Sequence, residues 1–350
     1  MSAPVDIGGR LVGPGQPLYF VAEAGVNHDG RLGQALQLVD AAADAGADAV
    51  KFQIFDADRL VARGTPKAAY QEAGSAPAET QDEMLRRLQL DRAAFEEIVK
   101  HARSRGIAFI ASPFDDASVD LLVALGAPAI KIASPDLVNL PLVAHAARAG
   151  LPLILSTGMA DLEETQNAVD TARSAGATEL VVLHCVSAYP ARPEDANLAA
   201  MATLADELSV PVGFSDHTLG IAVAIAAAAL GACLIEKHLT LDRSSPGPDH
   251  AASLEPGELA ELIAACRTAA AAIGDGVKRP VEAELENLPV VRRSVAAAVD
   301  LPAGAVLTRP ALVALRPGTG IPAARLDELV GRELARDVEH LQLLVPEDLV

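Results

Sequence analysis

The chain lacks tryptophan and carries only three tyrosines and seven phenylalanines among its 350 residues. An interior built without large aromatics must come from Ala, Leu, Val and Ile, and half of the chain is apolar, enough for a sizeable core. Cysteine is scarce too. Cys185, Cys233 and Cys266 form an odd set without metal-type spacing, and Cys185 and Cys233 sit inside apolar runs, so they read as reduced core residues. Positive charge is in short supply: 28 Lys and Arg face 47 Asp and Glu, a net charge of −19. That balance argues against a nucleic-acid surface, which needs clustered Lys and Arg, but an acidic exterior still allows a locally positive pocket for an anion. No uninterrupted apolar run reaches membrane length. No charged segment followed by an apolar one opens the chain, so no signal peptide is expected. A cytoplasmic enzyme with no nucleic-acid or membrane partner is the expectation.

What the chain does have is a recurring unit. An amphipathic, Ala-rich segment ends in glycine, and a short apolar run follows. The glycines are Gly46, Gly106, Gly126, Gly150, Gly176 and Gly231, placed where a left-handed helix cap needs no Cβ. Eight runs read as strands buried on both faces: Leu18–Ala22, Ala49–Phe52, Ala108–Ala111, Ala129–Ile132, Leu153–Leu155, Leu180–Leu183, Val212–Phe214 and Cys233–Ile235. Phe95, Ile98, Val99 and Ala102 mark one face of a helix with Asp91 as its N-cap, and Asp161 with Glu164 fits a capping box. Eight strand–helix units have the rhythm of an α/β protein with a closed (β/α)8 TIM barrel. An open doubly wound sheet is the alternative, disfavoured by the count and by the missing Gly-x-Gly-x-x-Gly after the first strand.

Two stretches break the rhythm. Between Asp56 and Leu85 lies a long polar insertion on the side of the active-site loops, whose Lys67, Tyr70, Gln71 and Thr80 could close over a substrate but read individually as solvated. From Gly274 to Pro289 the composition turns charged, between Gly and Pro, as in a linker. The expected layout is a barrel domain over residues 1–274, a linker over 275–289 and a small C-terminal domain over 290–350, with apolar runs at Val295–Val299, Val306–Leu307, Leu312–Leu315 and Leu341–Val345. So small a domain is marginal on core size alone.

The polar residues at the C-terminal ends of the proposed strands are Glu23, Lys51 with Gln53, Ser112, Lys131 with Ser134 and Asp136, Ser156 with Thr157, Ser187 with Tyr189, Ser215 with His217, and Glu236 with His238. In a barrel these open on one face, where such enzymes keep their sites. One Lys ending an apolar strand is ordinarily a paired structural charge; Lys51 and Lys131 together, among several hydroxyls, read as an oxyanion or phosphate site. Glu23 is either the cap of the following turn or a general acid or base. His217 and His238 alone would each be structural; at equivalent ends of consecutive strands they read as a pair of divalent-metal ligands that leaves coordination positions open. His28, in the turn Asn27-His28-Asp29-Gly30, is a candidate for lining the site; His101, His145, His184 and His340 keep a structural reading. Asp249 offers a polar contact to a hydroxylated substrate. Two other function classes fit parts of this pattern: a lysine aldolase using a Schiff base on the barrel, and a non-catalytic sugar-binding protein.

The chain resembles the sialic acid synthase family, N-acetylneuraminate synthase with its pseudaminate and legionaminate relatives. The resemblance rests on AEAGVNHDG from Ala22, VKFQ from Val50, KIAS from Lys131, ILSTGMA from Ile154, LHCVSAYP from Leu183, GFSDHTLG from Gly213, IEKHLTLDR from Ile235, PGPDHAASL from Pro246 and RPGTGI from Arg316. The tail resembles the family's antifreeze-like (SAF) domain. The resemblance implies condensation of phosphoenolpyruvate with an open-chain N-acyl hexosamine to a nine-carbon 2-keto sugar acid, with phosphate leaving by C–O cleavage. It implies a divalent metal, Mn2+ with Mg2+ or Co2+ as substitutes, on His217 and His238, with Glu236 in support. It assigns phosphoenolpyruvate to Lys51, Ser112, Lys131, Ser134, Ser156, Ser187 and Ser215. Catalytic roles fall to Glu23, Asp136 and Tyr189, and sugar contacts to Gln53, Tyr189, Asp249 and Arg316. Arg316 would be lent to the partner's site in a domain-swapped homodimer. Ser187 in place of Asn, Phe52 in place of His and Pro135-Asp136 in place of Gly-Glu depart from the N-acetylneuraminate pattern and leave the sugar open.

Overall fold

The computed structural model describes residues 2–68, 71 and 79–350. The chain divides into two compact units, Met1–Gly274 and Asp275–Val350. The first opens with an antiparallel hairpin, β1 (Val5–Ile7) and β2 (Arg10–Val12). Eight parallel strands then close into a barrel: β3 (Tyr19–Gly25), β4 (Ala49–Ile54), β5 (Ala108–Pro113), β6 (Ile130–Ile132), β7 (Leu153–Ser156), β8 (Leu180–Cys185), β9 (Val212–Asp216) and β10 (Leu234–His238). β10 pairs with β3 in a register that sets His238 beside Glu23. Helices alternate with the strands: α1 (Leu32–Asp44), α2 (Ala57–Leu60), α3 (Gln81–Leu88), α4 (Arg92–Ser104), α5 (Asp116–Leu125), α6 (Leu140–Arg148), α7 (Leu162–Ser174), α8 (Ala200–Leu208), α9 (Ala222–Ala229) and α10 (Pro256–Ala271). This is the expected TIM barrel. Asp91 caps α4 by accepting from Ala94 N, Asp161 and Glu164 close the capping box of α7, and the six cap glycines all have positive φ. Among the described residues no helix is long and apolar enough to cross a membrane.

All the barrel strands except β6 run further than the apolar runs announced, because side chains alternate between the two faces. Outward, Phe20, Val50, Phe109, Ile130, Leu155, Val182 and Phe214 join the main core under the helices. Inward, Tyr19, Val21, Ala49, Ile110, Ala129, Ile154, Val181, Leu183 and Leu234 pack a second core, which the hairpin closes from below with Val5, Ile7 and Val12. Two residues further along each strand, the same inward face turns polar: Val21 gives way to Glu23, Ala49 to Lys51, Ile110 to Ser112, Ala129 to Lys131, Ile154 to Ser156 and Leu234 to Glu236. Gly213 belongs to this inward row on β9. A Cβ there would stand 2.4 Å from Leu234 O and 2.7 Å from Leu183 Cδ2, so only glycine lets β9 approach its neighbours.

The insertion after β4 corrects the sequence reading. It is not merely a solvated loop, and Gln71, expected to be solvated, is buried and lines the cavity described below. Met84, Leu85 and Leu88 of α3 are buried with Val26, Phe55 and Ala57, and Leu60, Val61 and Phe114 pack on this cluster. Thr80 opens α3 in a capping box with Glu83. Tyr70 lies outside the described residues.

The loops after β3 and β10 are stapled together. Asn27 Nδ2 donates to Leu239 O and to Ser253 Oγ, both at 2.9 Å, and His250 bridges Thr240 Oγ1 (2.7 Å) and Asp29 Oδ1 (3.1 Å). His28 is 1% exposed, lies against Phe52 with ring centroids 6.0 Å apart, and accepts from Gly30 N through Nδ1. It is a packing residue of this staple rather than a lining residue. Burial, with some help from His250, pushes its pKa down to about 4. Because the unfolded chain takes up this proton near the ordinary value of 6.5, the contribution is intact above that pH and is lost as pH falls towards 4. The loss is about 3 kcal/mol, since one pKa unit is worth about 1.36 kcal/mol. Urea unfolding at pH 7 and pH 4.5 is expected to show a shallower acid decline for His28→Gln than for the native chain; equal declines would exclude His28 as a source of it.

The second unit pairs β11 (Ser294–Ala297) with β12 (Leu312–Leu315), antiparallel, over a small core of Val295, Leu307, Leu312, Ile321, Leu326, Leu329, Leu334, Val338 and Leu344. The apolar residues Val306 and Leu343 contribute single bridges, to Glu333 and Ala296, rather than strands. Residues 275–289 are mostly exposed and include the one-turn helix Glu282–Leu285.

Candidate active site

The inward polar row lines a cavity of about 440 Å³ at the C-terminal end of the barrel. At its base, Lys131 Nζ donates to both oxygens of Glu236, at 2.9 and 3.0 Å, and Ser215 Oγ donates to Glu236 Oε1 at 2.9 Å. Lys51 Nζ pairs with Glu23 Oε2 at 2.7 Å, donates to Ser112 Oγ at 3.3 Å, and lies 3.8 Å from Glu236 Oε1. All four charged side chains are at most 5% exposed. Burial alone would raise the pKa of Glu236, but Lys131 and Lys51 outweigh it and hold the carboxyl well below its usual range. Burial and the Glu236 charge push Glu23 up against the pull of Lys51. The pKa values of two carboxylates in one site are thus driven apart, Glu236 downward and Glu23 upward.

Hydroxyls complete this base. Ser134 Oγ accepts from Gly158 N at 3.0 Å. The approach leaves no room at Gly158, where a Cβ would stand 2.2 Å from Ser187 Oγ and 2.8 Å from Ser134 Oγ. Ser156 Oγ, which lines the cavity, and Ser187 Oγ, which is not among its lining residues, are buried and have no hydrogen-bond partner among the described residues. Thr157 differs, since its hydroxyl donates to Leu183 O. Two buried ammonium groups ringed by hydroxyls suit a phosphate or carboxylate.

His217 and His238 leave the ends of β9 and β10 with ring centroids 5.3 Å apart. Tyr189 lies against both, 4.2 Å from His217 and edge-on at 5.8 Å from His238. His217 Nδ1 donates to Val186 O at 2.8 Å, which leaves Nε2 as the nitrogen with a lone pair. His238 Nδ1 is buried without a hydrogen-bond partner among the described residues, and burial, then His217 and Lys51, keep this imidazole neutral far below the ordinary value. For His217 burial works downward, but Cys185 and the Val186 carbonyl push the pKa up. This donor set fits a divalent cation held by two imidazoles with positions left open. Among the described residues no group of three or more His, Cys, Asp or Glu is arranged as a closed metal cage.

The remaining candidates separate. Gln53, Asp136, Tyr189 and Asp249 line the cavity. Burial and the nearby Glu23 push Asp249 up to about 6, and burial raises Asp136, which accepts from Asn139. Asp249 Oδ2 is 4.0 Å from His238 Nδ1. Glu236 contacts the two lysines and Ser215, not an imidazole. Arg316 belongs to the second unit and is exposed. Two features escaped the sequence reading. Cys185, taken for a core residue, lines the cavity, with Sγ 3.6 Å from Ser134 Oγ; its position two residues after the inward Leu183 was the available signal. The apolar wall of Leu60, Val61, Leu85 and Phe114 also lines it, hidden in a stretch that looked polar.

Comparison with known proteins agrees with this arrangement. Residues 38–278 match the NeuB family and residues 292–350 match the SAF domain. The chain is 46% identical over 330 residues to N,N'-diacetyllegionaminic acid synthase of Legionella pneumophila, covering 93% of each protein. It is 43% identical to the Campylobacter jejuni synthase of the same name, over 93% of this chain and 98% of that one. The crystal structure of N-acetylneuraminic acid synthetase from Leptospira borgpetersenii in complex with citrate superposes with a TM-score of 0.74 at 34% identity, covering 82% of this chain and 95% of that one. With both matched segments in order and the barrel-end residues in place, the chain belongs to the NeuB family and carries a SAF domain at its C-terminal end.

Proposed function

We propose that this chain is a nonulosonate synthase that condenses phosphoenolpyruvate with an open-chain diacetamido trideoxyhexose, giving a nine-carbon 2-keto sugar acid and phosphate. The observation that carries the reading is the coexistence, in one cavity, of the Lys51 and Lys131 cradle with the His217 and His238 pair. Lys51, Lys131 and the hydroxyls of Ser112, Ser134, Ser156, Ser187 and Ser215 bind the phosphate and carboxylate of phosphoenolpyruvate. Glu23, raised towards neutrality, moves the proton associated with addition of water at C2, while C3 attacks the aldehyde and phosphate leaves with its bridging oxygen. A divalent cation, Mn2+ in the first instance, supplies polarisation of the aldehyde oxygen when bound. Gln53, Asp136, Tyr189 and Asp249 orient the sugar. The family resemblance further carries Arg316 to the site of a partner copy in a swapped homodimer; activity regained on mixing Arg316→Ala subunits with His238→Ala subunits would support that, and none regained would remove it.

Two features support the choice of sugar. Among the described residues lining the cavity, Lys51 and Lys131 are the only lysines or arginines, and both are taken by phosphoenolpyruvate in this reading, so this chain's own lining offers no further cation to a phosphorylated sugar. Leu60, Val61, Leu85 and Phe114 offer an apolar wall to acetamido methyls and a deoxygenated C6. The test is phosphate release with Mn2+ and a panel of N-acetylmannosamine, its 6-phosphate, the diacetamido trideoxyhexoses leading to legionaminate and pseudaminate, and arabinose 5-phosphate. The legionaminate precursor is expected to give the highest kcat/KM. Leu85→Asn is expected to lower that value about 10–200-fold, the range for one apolar contact group. Preference for N-acetylmannosamine 6-phosphate would overturn the sugar, and release with arabinose 5-phosphate alone would overturn the class.

A further inference from the structure

The outward face of β9 and β10 carries a buried ion pair that the reaction does not use. Lys237 Nζ lies 2.7 Å from Asp216 Oδ2, and both side chains are 0% exposed. Lys237 also donates to Thr218 O, while Asp216 Oδ1 accepts from Thr218 N at 2.9 Å and from Thr218 Oγ1 at 2.8 Å. The surroundings are the main apolar core, with Phe214 and Ile235 on the same strand faces. An ion pair in such a place gains little stability over apolar side chains of similar volume, and breaking one partner is far worse than replacing both. Its position is informative. Asp216 immediately precedes His217, Thr218 immediately follows it, and Lys237 immediately precedes His238. The backbone ladder between the two strands ends at the Lys237–Asp216 pair, so the histidines lie beyond the last ladder position. From there the Lys237 side chain replaces the ladder, tied to the residues on both sides of His217.

We infer that the buried Asp216–Lys237 pair is a positioning device that fixes the spacing of His217 and His238 and thereby sets the divalent-metal affinity of the site. The inference rests on the two-imidazole reading given above. The alternation of the strands explains how it works without touching a ligand: 216 and 237 point out while 217 and 238 stand at the inner mouth, so an outward bolt holds an inward pair. Groups that orient metal ligands from outside the coordination sphere typically govern affinity by about 10–100-fold.

The test is the double variant Asp216→Leu/Lys237→Met in the full-length chain. Its melting temperature is expected to equal or exceed that of the native protein. Its Mn2+ affinity, by calorimetry or electron paramagnetic resonance, is expected to fall about 10–100-fold, with phosphate release recovering as Mn2+ is raised. The imidazole nitrogen signals of His217 and His238 are expected to move in metal-free protein. Thr218→Val, which removes one hydroxyl contact and keeps the pair, is expected to weaken Mn2+ severalfold and serves if the double variant does not fold. Mn2+ affinity within twofold of native in both variants, with unmoved imidazole signals, overturns the inference. If the native chain itself binds no Mn2+, the two-imidazole metal reading fails, and the imidazole signals alone then decide: movement in the variants supports the positioning role and its absence overturns it.

Discussion

Alanine at His217 or at His238 is expected to abolish Mn2+ binding and to lower turnover about 10³-fold or more. The figure follows from the several kcal/mol that a Lewis acid supplies to a carbonyl and the tenfold change per 1.36 kcal/mol. The two variants should differ in stability, and the difference makes the pair informative. His217 donates to Val186 O and lies against Tyr189, so His217→Ala strands a carbonyl and loosens a ring contact, at about 1 kcal/mol. His238 has a buried nitrogen without a partner among the described residues, so His238→Ala relieves an unmet polar group and should leave the melting temperature unchanged or higher. Equilibrium dialysis, phosphate release and thermal melts on the same preparations read all three quantities. Full activity of either variant in metal-free buffer would remove the metal from the mechanism.

Lys131→Met should have a comparable effect on turnover and a larger one on stability. It takes from Glu236 two contacts of 2.9 and 3.0 Å and leaves Lys51, at 3.8 Å, as the only nearby ammonium among the described residues. Removing one partner of a buried pair costs about 3–5 kcal/mol. Adding Glu236→Leu should restore most of that stability and none of the activity, because the cradle proposed for phosphoenolpyruvate is still incomplete. The pH dependence has a definite sign. In the native chain the carboxyl of Glu236 is held below its ordinary 4.5, so its contribution is complete above that pH and is lost as pH falls through the lowered value. In Lys131→Met the lowering is relieved and protonation helps, so the deficit relative to native should shrink as pH falls below the ordinary carboxylate range. A single variant as stable as the double would show that Lys51 alone neutralises Glu236.

The barrel was legible because eight short apolar runs recur along the chain, six of them after a glycine-ended helix, a pattern set by burial on both strand faces and by helix caps. The ends of the strands were less legible. A run such as Leu234-Ile235 stops in sequence at Glu236, yet the strand continues to His238, because pairing follows backbone and only the inward face changes character. Glu23, Lys51 and Lys131 could be found for that reason: a charge directly after apolar residues has few explanations. Cys185 could not, since a thiol looks the same at the floor of a site as in a core. Met84, Leu85 and Leu88 were masked by their charged neighbours on α3: Glu83, Arg86 and Arg87, and Asp82, which is itself buried. Lys237 was overshadowed by the histidine next to it, although a lysine between Glu236 and His238 on a buried strand has to face the helices.

The hairpin of β1 and β2 bears on the order of events. Val5, Ile7 and Val12 fill the lower end of the barrel, and among the described residues the cavity above the lysine floor is lined by the imidazoles, Tyr189 and the apolar wall. Among the described residues, an apolar plug closes the barrel below the cavity. Under the proposed reaction the molecule destined for the floor has to enter before the sugar occupies the doorway, and the phosphate released there has to wait for the sugar acid to clear it. A plug made of three aliphatic side chains would thus impose a first-in, last-out sequence, readable in product-inhibition kinetics, on a reaction whose chemistry it never touches.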